Sequence, residues 1–134
     1  MTWRSYEELL REERLKYKET AVAHCPIIGA NVHFTSKGFH HLLFDGTGRP
    51  RSKKMRMYRL GLLPLLKPVL FNATKIEKYI PPHYSAKLSQ MVEYWNLKAV
   101  VGKQKTVVTV ILRKVGNGNI TFYSIWKKQD RNRH

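Results

Sequence analysis

The sequence is short of acidic residues, cysteine and long apolar runs. Only 9 Asp+Glu stand against 25 Lys+Arg in 134 residues, which gives a formal net charge of +16. A single cysteine, Cys25, excludes an internal disulfide framework and a Cys-rich zinc site. The longest uncharged apolar stretch, 60–66, contains Gly61 and Pro64 and is far shorter than the roughly 20 residues that a membrane-spanning helix requires. No membrane-spanning helix is therefore expected, and because no apolar segment follows Arg4, a cytoplasmic protein without a secretory signal is predicted.

The few acidic residues are also unevenly distributed. Residues 1–19 hold five acids and five bases, so the whole net charge lies in residues 20–134, whose only acids are Asp45, Glu77, Glu93 and Asp130. Such a charge attracts polyanions: nucleic acid first, an anionic membrane second and an acidic protein third. Mg²⁺ or Mn²⁺ centres need several oxygen ligands at one point. Four scattered carboxylates make a two-metal site improbable, and we expect neither a metal nor another cofactor.

The patterns that are present predict an α+β domain, with N-terminal helices followed by a curved antiparallel β-meander of about four strands. Ser5 and Glu8 have the spacing of a capping box, which predicts an amphipathic helix at the N-terminus. Further helices are predicted from Thr35 or Ser36 to about Asp45 and over 52–63. Strands are predicted at 31–34, 94–101, 105–114 and 119–127, with a hairpin turn at 115–118. Pro81-Pro82 is taken as the boundary between the helical and β halves of a single domain, 1–134.

The second half of the helical region carries a dense basic run. Six cations fall within eleven residues: Arg49, Arg51, Lys53, Lys54, Arg56 and Arg59. In most proteins such a run is a solvated helix face. In a chain of this net charge it favours a phosphate-binding surface, and Arg56 and Arg59, one turn apart, can face the same anion.

Histidine is the side chain best suited to proton transfer near neutral pH in a chain so poor in carboxylates. The six histidines include no HExxH pattern and no Cys/His cluster, so a zinc site is not predicted. His40 and His41 are adjacent, so on a helix they point about 100° apart. We favour His40 as the site residue, because it lies opposite the apolar positions of the helix, with His41 as the alternative. Either can instead be a surface or capping histidine.

The predicted last strand alternates between two faces. Ile120, Phe122, Ser124 and Trp126 share one face, and Thr121, Tyr123, Ile125 and Lys127 share the other. If the first face is core, Ser124 is a small residue that permits close packing. If that face is open, Ser124 offers a hydroxyl to a phosphate and Trp126 a surface on which a base can stack. In the strand 94–101, Lys98 lies on the polar face and can neutralise a phosphate. Cys25 is expected to be a buried structural thiol rather than a nucleophile.

The order of elements resembles the barnase, EndoU, colicin and RelE-like nuclease superfamily, particularly its small phage-associated branches. The matching features are Val32-His33-Phe34-Thr35 before a helix with His40, the Arg-rich helix, the strand 94–101 and the closing hairpin ending in Phe122-Tyr123-Ser124-Ile125. The resemblance covers residues 22–128 as a nuclease core and leaves the N-terminal helix, 1–20, outside.

The resemblance implies a metal-independent endoribonuclease, of the toxin or phage effector type, that uses the 2′-hydroxyl of RNA as its nucleophile. It assigns His40 as the acid/base histidine, Arg56 or Arg59 as the phosphate clamp and Ser124 as a hydroxyl near the scissile phosphate, but it assigns no general base. An acidic antitoxin or immunity partner follows from the resemblance alone. The expected catalytic residues are then His40, Arg59 and Ser124, and the expected substrate-binding residues are Arg51, Arg56, Lys98, Trp126 and Lys127.

Two other functions are compatible with the composition. In a non-catalytic RNA or single-stranded nucleic-acid-binding protein, the basic helix contacts phosphates, sheet aromatics stack on bases, and no histidine is required. A basic protein that binds an acidic protein or an anionic membrane is the third hypothesis, although no motif in the sequence supports it.

Overall fold

Helix α1, Tyr6–Thr20, begins with the predicted capping box in the computed structural model, which describes residues 5–128. The Ser5 hydroxyl accepts a hydrogen bond from the Glu8 amide, and the Glu8 side chain accepts one from the Ser5 amide. These bonds satisfy two of the amide groups that a helix start leaves unpaired. Leu9 and Tyr17 are buried on the face of α1 that packs toward the rest of the chain.

The other predicted helices are confirmed. They are α2, Ser36–Leu43, and α3, Lys53–Leu62, each with a side-chain cap from the residue that precedes it, Thr35 or Ser52. After α3 the chain tightens into a 3₁₀ turn at Leu63–Leu65, near whose start Pro64 is accommodated, and continues as α4, Leu66–Asn72. None of the helices within residues 5–128 is both long enough and apolar enough to cross a membrane.

The α+β class is confirmed, but the sheet is larger than the predicted meander. Its strands are β1 Val22–Cys25, β2 Ala30–His33, β3 Ile76–Ser85, β4 Gln90–Val101, β5 Thr106–Val115 and β6 Ile120–Lys127. They form one open, six-stranded sheet in the order β1-β2-β6-β5-β4-β3. The β1–β2 hairpin joins the β3–β6 meander through a short parallel pairing of β2 with β6, and all other pairs are antiparallel. Two strands therefore precede α2: β2 corresponds to the strand predicted at 31–34, whereas β1 was not predicted.

The interpretation of Pro81-Pro82 as a boundary is wrong. Both prolines lie inside β3, where the pairing with β4 shifts register between Ile80 and His83. Strand β3 is an edge strand, so a missing amide donor and a bulge are tolerated there. The helical region instead ends at Asn72, ahead of β3.

Strand β6 also departs from its predicted alternation. Leu112 of β5 lies opposite Phe122 and Ile111 lies opposite Ser124, which leaves Tyr123 as an extra residue in a β-bulge. Because of the bulge, Phe122 and Ile125, assigned to opposite faces by the two-residue period, both join the hydrophobic core. The strict alternation predicted for 120–127 is therefore wrong beyond Phe122.

The helices pack so that one face of the meander is covered. Helix α4 contacts β4, β5 and β1, while α1 contacts α3 and α2 contacts β6. Along β4, Trp95 and Leu97 are buried, whereas Tyr94 and Asn96 are only half-buried and Lys98 is exposed. Tyr94, Asn96 and Lys98 therefore mark the less covered face of the sheet.

One glycine sets the approach of α2 to β6. A Cβ on Gly38 would lie 2.4 Å from the Phe122 carbonyl oxygen and 2.8 Å from the Tyr17 hydroxyl. Only glycine therefore lets α2 approach the bulged strand this closely.

Cys25 is fully buried, as expected of a structural thiol, and burial raises its pKa.

Candidate functional site

A cleft of about 480 Å³ lies where α2 and the loop that follows it meet β4, β5 and β6. We call it the histidine cleft. Its lining residues come from α2, the 45–48 loop, the β3–β4 turn and the less covered face of the sheet: Lys37, His40, His41, Phe44, Asp45, Gly46, Thr47, Gly48, Ser85, Lys87, Leu88, Tyr94, Arg113 and Tyr123.

A stack of rings and a guanidinium forms one wall of the histidine cleft. The His41 ring stacks on Tyr123, the bulge residue, with 4.6 Å between centroids and 20° between planes. Arg113 covers the Tyr123 ring at 4.4 Å, and Tyr94 packs edge-on against it at 5.7 Å. Tyr94 and Arg113 lie directly opposite each other on β4 and β5, so the register of the sheet presents both to the same cleft.

The environment of His41 keeps its imidazole neutral. Burial, and then the positive charges of Arg51, Arg59, Arg113 and His40, lower its pKa from 6.5 to about 4. An imidazole with so low a pKa is unprotonated at physiological pH, but it is a weak base until the positive charges around it are neutralised. The cations that lower this pKa are also groups that a bound phosphate would neutralise.

Arg59 is fixed at the edge of β6 by two hydrogen bonds from one nitrogen. Its Nη1 donates to the Ser124 hydroxyl at 2.8 Å and to the Ile125 carbonyl at 3.1 Å. Ser124 is only 3% exposed, so it positions the guanidinium and is shielded from a ligand in the cleft. Burial lowers the pKa of Arg59, with a further contribution from Arg51, and the group remains a cation at any physiological pH.

Positive charge exceeds negative charge around His41, where Asp45 is the acidic residue of the cleft lining and interacts with Arg51. Within residues 5–128, Arg51, Arg59 and Arg113 take part in no salt bridge, and the ion pairs found lie elsewhere, at Lys16–Glu13 and Lys98–Glu77. Arg51 donates from Nε to the His41 carbonyl at 3.1 Å, which ties it to the same turn of α2. Half-buried guanidinium groups without an anion are costly to hold together, and an anionic ligand would offset that cost.

Asp45 is the acidic residue that lines the histidine cleft, and its carboxylate is committed to the loop. Its Oδ1 accepts hydrogen bonds from the Thr47 hydroxyl at 2.7 Å, the Thr47 amide at 2.9 Å and the Arg49 amide at 3.1 Å. The bonds from Thr47 and Arg49 lower the pKa of Asp45, which makes it a weaker base. Asp45 thus shapes the loop and is poorly suited to proton transfer.

The two adjacent histidines occupy different parts of the cleft. His40, the residue favoured by the sequence, is exposed at the mouth and stacks on Phe44 with 4.1 Å between centroids. His41, the alternative, is the one that lies half-buried among the arginines.

The remaining sequence-predicted residues are divided between the surroundings of His41 and other surfaces. Arg51 and Arg59 lie close enough to His41 for their charges to lower its pKa, and Ser124 bonds to Arg59, but none of the three belongs to the cleft lining. Arg56 instead packs on Tyr6 of α1, with its Nη1 donating to the phenol at 3.1 Å and its guanidinium carbon 4.8 Å from the ring centroid. Three others are away from the cleft lining. Lys98 pairs with Glu77 at 3.2 Å, the Lys127 ammonium lies 5.9 Å from the Tyr58 ring centroid, and Trp126 is half-buried near the end of β6.

Sequence reasoning missed Tyr94, Arg113 and Tyr123 as site residues. The first two occur at alternating polar positions of β4 and β5, and a cross-strand register would have paired them. The orientation of Tyr123 depends on a bulge that no local pattern announces. In residues 5–128, no group of three or more His, Cys, Asp or Glu side chains is arranged to hold a metal ion.

Comparison of the chain with protein-family models, with curated proteins and with solved structures finds no match in any of the three.

Proposed function

We propose that the chain is an endoribonuclease that cleaves RNA without a metal ion, by attack of a ribose 2′-oxygen on the adjacent phosphorus. The observation that carries the proposal is the position of His41, which lines an open cleft together with Arg113 and lies close to Arg51 and Arg59. Proton transfer and the stabilisation of negative charge are the two tasks that this reaction requires. The resemblance to the barnase, EndoU, colicin and RelE-like nucleases points to the same chemistry.

In the proposed reaction His41 acts as the general base. It removes the proton from the 2′-hydroxyl, the 2′-oxygen bonds to phosphorus, and the bond from phosphorus to the 5′-oxygen breaks. The products are a 2′,3′-cyclic phosphate and a 5′-hydroxyl, and no external oxidant or water is consumed. A base of this kind contributes about 10²–10⁴-fold to the rate.

Arg59 and Arg113 stabilise the charge that develops on the phosphorane oxygens. Arg59 is held in one orientation by Ser124 and Ile125, and Arg113 by its contact with Tyr123. Preorganised donors of this type need not reorient during the reaction.

His40 supplies the proton to the departing 5′-oxygen in this proposal. Its ring lines the same cleft and is exposed to solvent. The half-buried imidazole, His41, thus accepts a proton, and the exposed one, His40, donates a proton.

A non-catalytic RNA-binding protein is the second candidate, because Tyr94, Tyr123 and Arg113 also form a surface on which bases can stack. The two candidates differ in their dependence on His41. A binding protein needs the arginines and the rings but has no use for a group that accepts a proton.

The test is incubation of the purified chain with cellular RNA and with single-stranded DNA in excess EDTA. The proposal predicts cleavage of RNA but not DNA, and a loss of at least 100-fold in the His41→Ala variant. The matched control is His24→Ala, which replaces an exposed histidine on β1 and leaves the rate unchanged. Salt-sensitive RNA binding without cleavage would overturn the enzyme and support the binding protein.

A further inference from the structure

A second cleft, of about 400 Å³, lies between α1 and α2 on the other side of a shared wall. We call it the aromatic cleft. It is lined by rings and by cations of α1, chiefly Tyr17, Phe34, Phe39, Phe44, Arg14 and Lys18. Its volume is within the range of sites that hold small organic groups.

The wall between the two clefts is a pair of stacked rings. His40 and Phe44 line both clefts, and their rings are 9° from parallel, with 4.1 Å between centroids. Phe44 directly follows the end of α2, and both Phe44 and His41 line the histidine cleft. A group bound in the aromatic cleft is thus next to a group bound at His41.

The rings of the aromatic cleft are held in place by one another. Tyr17 stacks on Phe34 at 5.3 Å and packs against Phe39 at 5.2 Å, and its hydroxyl donates to the Thr35 carbonyl at 2.7 Å. Tyr17 and Phe39 are buried, whereas Phe34 and Phe44 are half-buried and present part of their surface to the cleft. The cleft therefore offers flat apolar surface that is rigid before a ligand arrives.

The charge of the aromatic cleft matches a polyanion. The Arg14 guanidinium lies 5.1 Å from the Phe39 ring centroid, and Lys18, one turn further along α1, is exposed. Among the described residues that line the cleft none is acidic. Flat rings edged by cations suit a nucleotide, whose base stacks while its phosphate is neutralised.

We propose that the aromatic cleft binds a nucleobase of the RNA strand, that of a nucleotide next to the phosphate held at His41. This inference rests on the proposed function for the placement of an RNA phosphate at His41. Binding of the base itself requires no catalysis. Stacking on rings accepts any base, so the cleft adds affinity and register rather than strict sequence specificity.

The experiment measures binding of a fluorescently labelled decamer of 2′-O-methyl RNA, which cannot be cleaved by attack of its 2′-oxygen. A decamer of equal length and charge without bases is the reference probe. We expect the base-containing probe to bind more tightly, and we expect that preference to fall by about 5- to 100-fold in Phe34→Leu and Phe44→Leu. The control is Phe71→Leu, which replaces a 71% exposed ring on α4 and leaves the preference unchanged.

Two variants are used because each substitution can also disturb a different part of the structure. Phe44 lines both clefts, and Phe34 also packs on Tyr17, so unfolding is followed by circular dichroism for each. If one variant does not fold, the other decides. An unchanged preference in the folded variants, or equal binding of the two probes by the wild type, overturns the proposal.

The same proteins are then assayed for RNA cleavage in EDTA. Loss of base preference in the variants, in a wild-type protein that does not cleave RNA, would support the aromatic cleft and refute the nuclease. Cleavage by the wild type together with an unchanged preference in the variants would support the nuclease and refute base binding in the aromatic cleft.

Discussion

The Arg59 guanidinium donates a 2.8 Å hydrogen bond to the Ser124 hydroxyl, linking α3 to the bulge of β6 across 65 residues of sequence. This bond joins the basic helix to the strand that carries Tyr123, the stacking partner of His41. The charge beside His41 is thus positioned by a hydroxyl that itself lies out of reach of a substrate in the cleft.

The first prediction concerns that bond. Ser124→Ala leaves the guanidinium with the Ile125 carbonyl alone, and we expect the free energy of unfolding to fall by about 1–2 kcal/mol. We also expect kcat for RNA cleavage to fall with little change in KM, because Arg59 loses its orientation more than its charge. Arg59→Lys should lower kcat as well, and the double variant should be less impaired than the product of the two effects. Fully multiplicative effects would show that the two residues act independently.

The second prediction uses two glycines. Gly38→Ala introduces a Cβ against the Phe122 carbonyl and the Tyr17 hydroxyl, so we expect destabilisation of about 3 kcal/mol and loss of cleavage as α2 moves away from β6. Gly61→Ala is the control, since its Cβ meets open space inside α3 and alanine favours a helix by up to about 1 kcal/mol. Urea unfolding of the two variants measures the contrast, and equal stabilities would refute the close approach of α2 to β6.

The third prediction is a pH dependence of stability. The pKa of His41 in the folded chain, about 4, lies below its ordinary value of 6.5. The stability that neutral His41 contributes is therefore present above pH 6.5 and is lost as the pH falls towards 4. His41→Phe keeps a ring on Tyr123 but cannot titrate, so its free energy of unfolding should fall less than that of the wild type between pH 7 and pH 4.5.

Urea titrations at the two pH values give this comparison. His24→Phe replaces an exposed histidine and should follow the wild type. If His41→Phe and the wild type lose stability in parallel, His41 does not have the lowered pKa expected of a half-buried imidazole among arginines.

The fourth prediction separates Arg56 from the arginines that we propose bind phosphate. Because Arg56 joins α3 to Tyr6 of α1, Arg56→Met should lower the free energy of unfolding by about 1–2 kcal/mol while RNA cleavage at saturating substrate stays close to normal. Lys54→Met, an exposed change on the same helix, should leave stability unaffected. Arg56 would instead be a phosphate contact if Arg56→Met raised KM and reduced the slope of log affinity against log salt concentration by about 1.

Local patterns predicted the elements whose signals are local. The Ser5–Glu8 capping box marked the start of α1, and the glycines at 116 and 118 marked the β5–β6 hairpin. Strand β1 has only four residues and no alternation, and β3 was hidden by Pro81-Pro82, whose presence is tolerated only because β3 lies at the edge. Whether a strand lies at the edge depends on the order of strands in the sheet, which is a property of the whole chain.

The site was predictable in composition but not in arrangement. The sequence singled out an adjacent pair of histidines, a basic helix and Ser124 as candidates, and it placed His40 ahead of His41 because no local pattern shows which of the two lies among the arginines. The rotation of α2 over β6 depends on the space beside Gly38, and the bulge at Tyr123 turns a strand residue toward His41. Both are tertiary effects that a repeat of two or 3.6 residues cannot encode.

The most direct test of the account uses an RNA in which the ribose at a mapped cleavage site is replaced by 2′-deoxyribose. In EDTA, we expect cleavage at that linkage to stop, while neighbouring linkages are still cut to leave 2′,3′-cyclic phosphate and 5′-hydroxyl ends. Continued cleavage at the deoxyribose linkage, or products with 5′-phosphate ends, would contradict attack by the 2′-oxygen and with it the role proposed for His41.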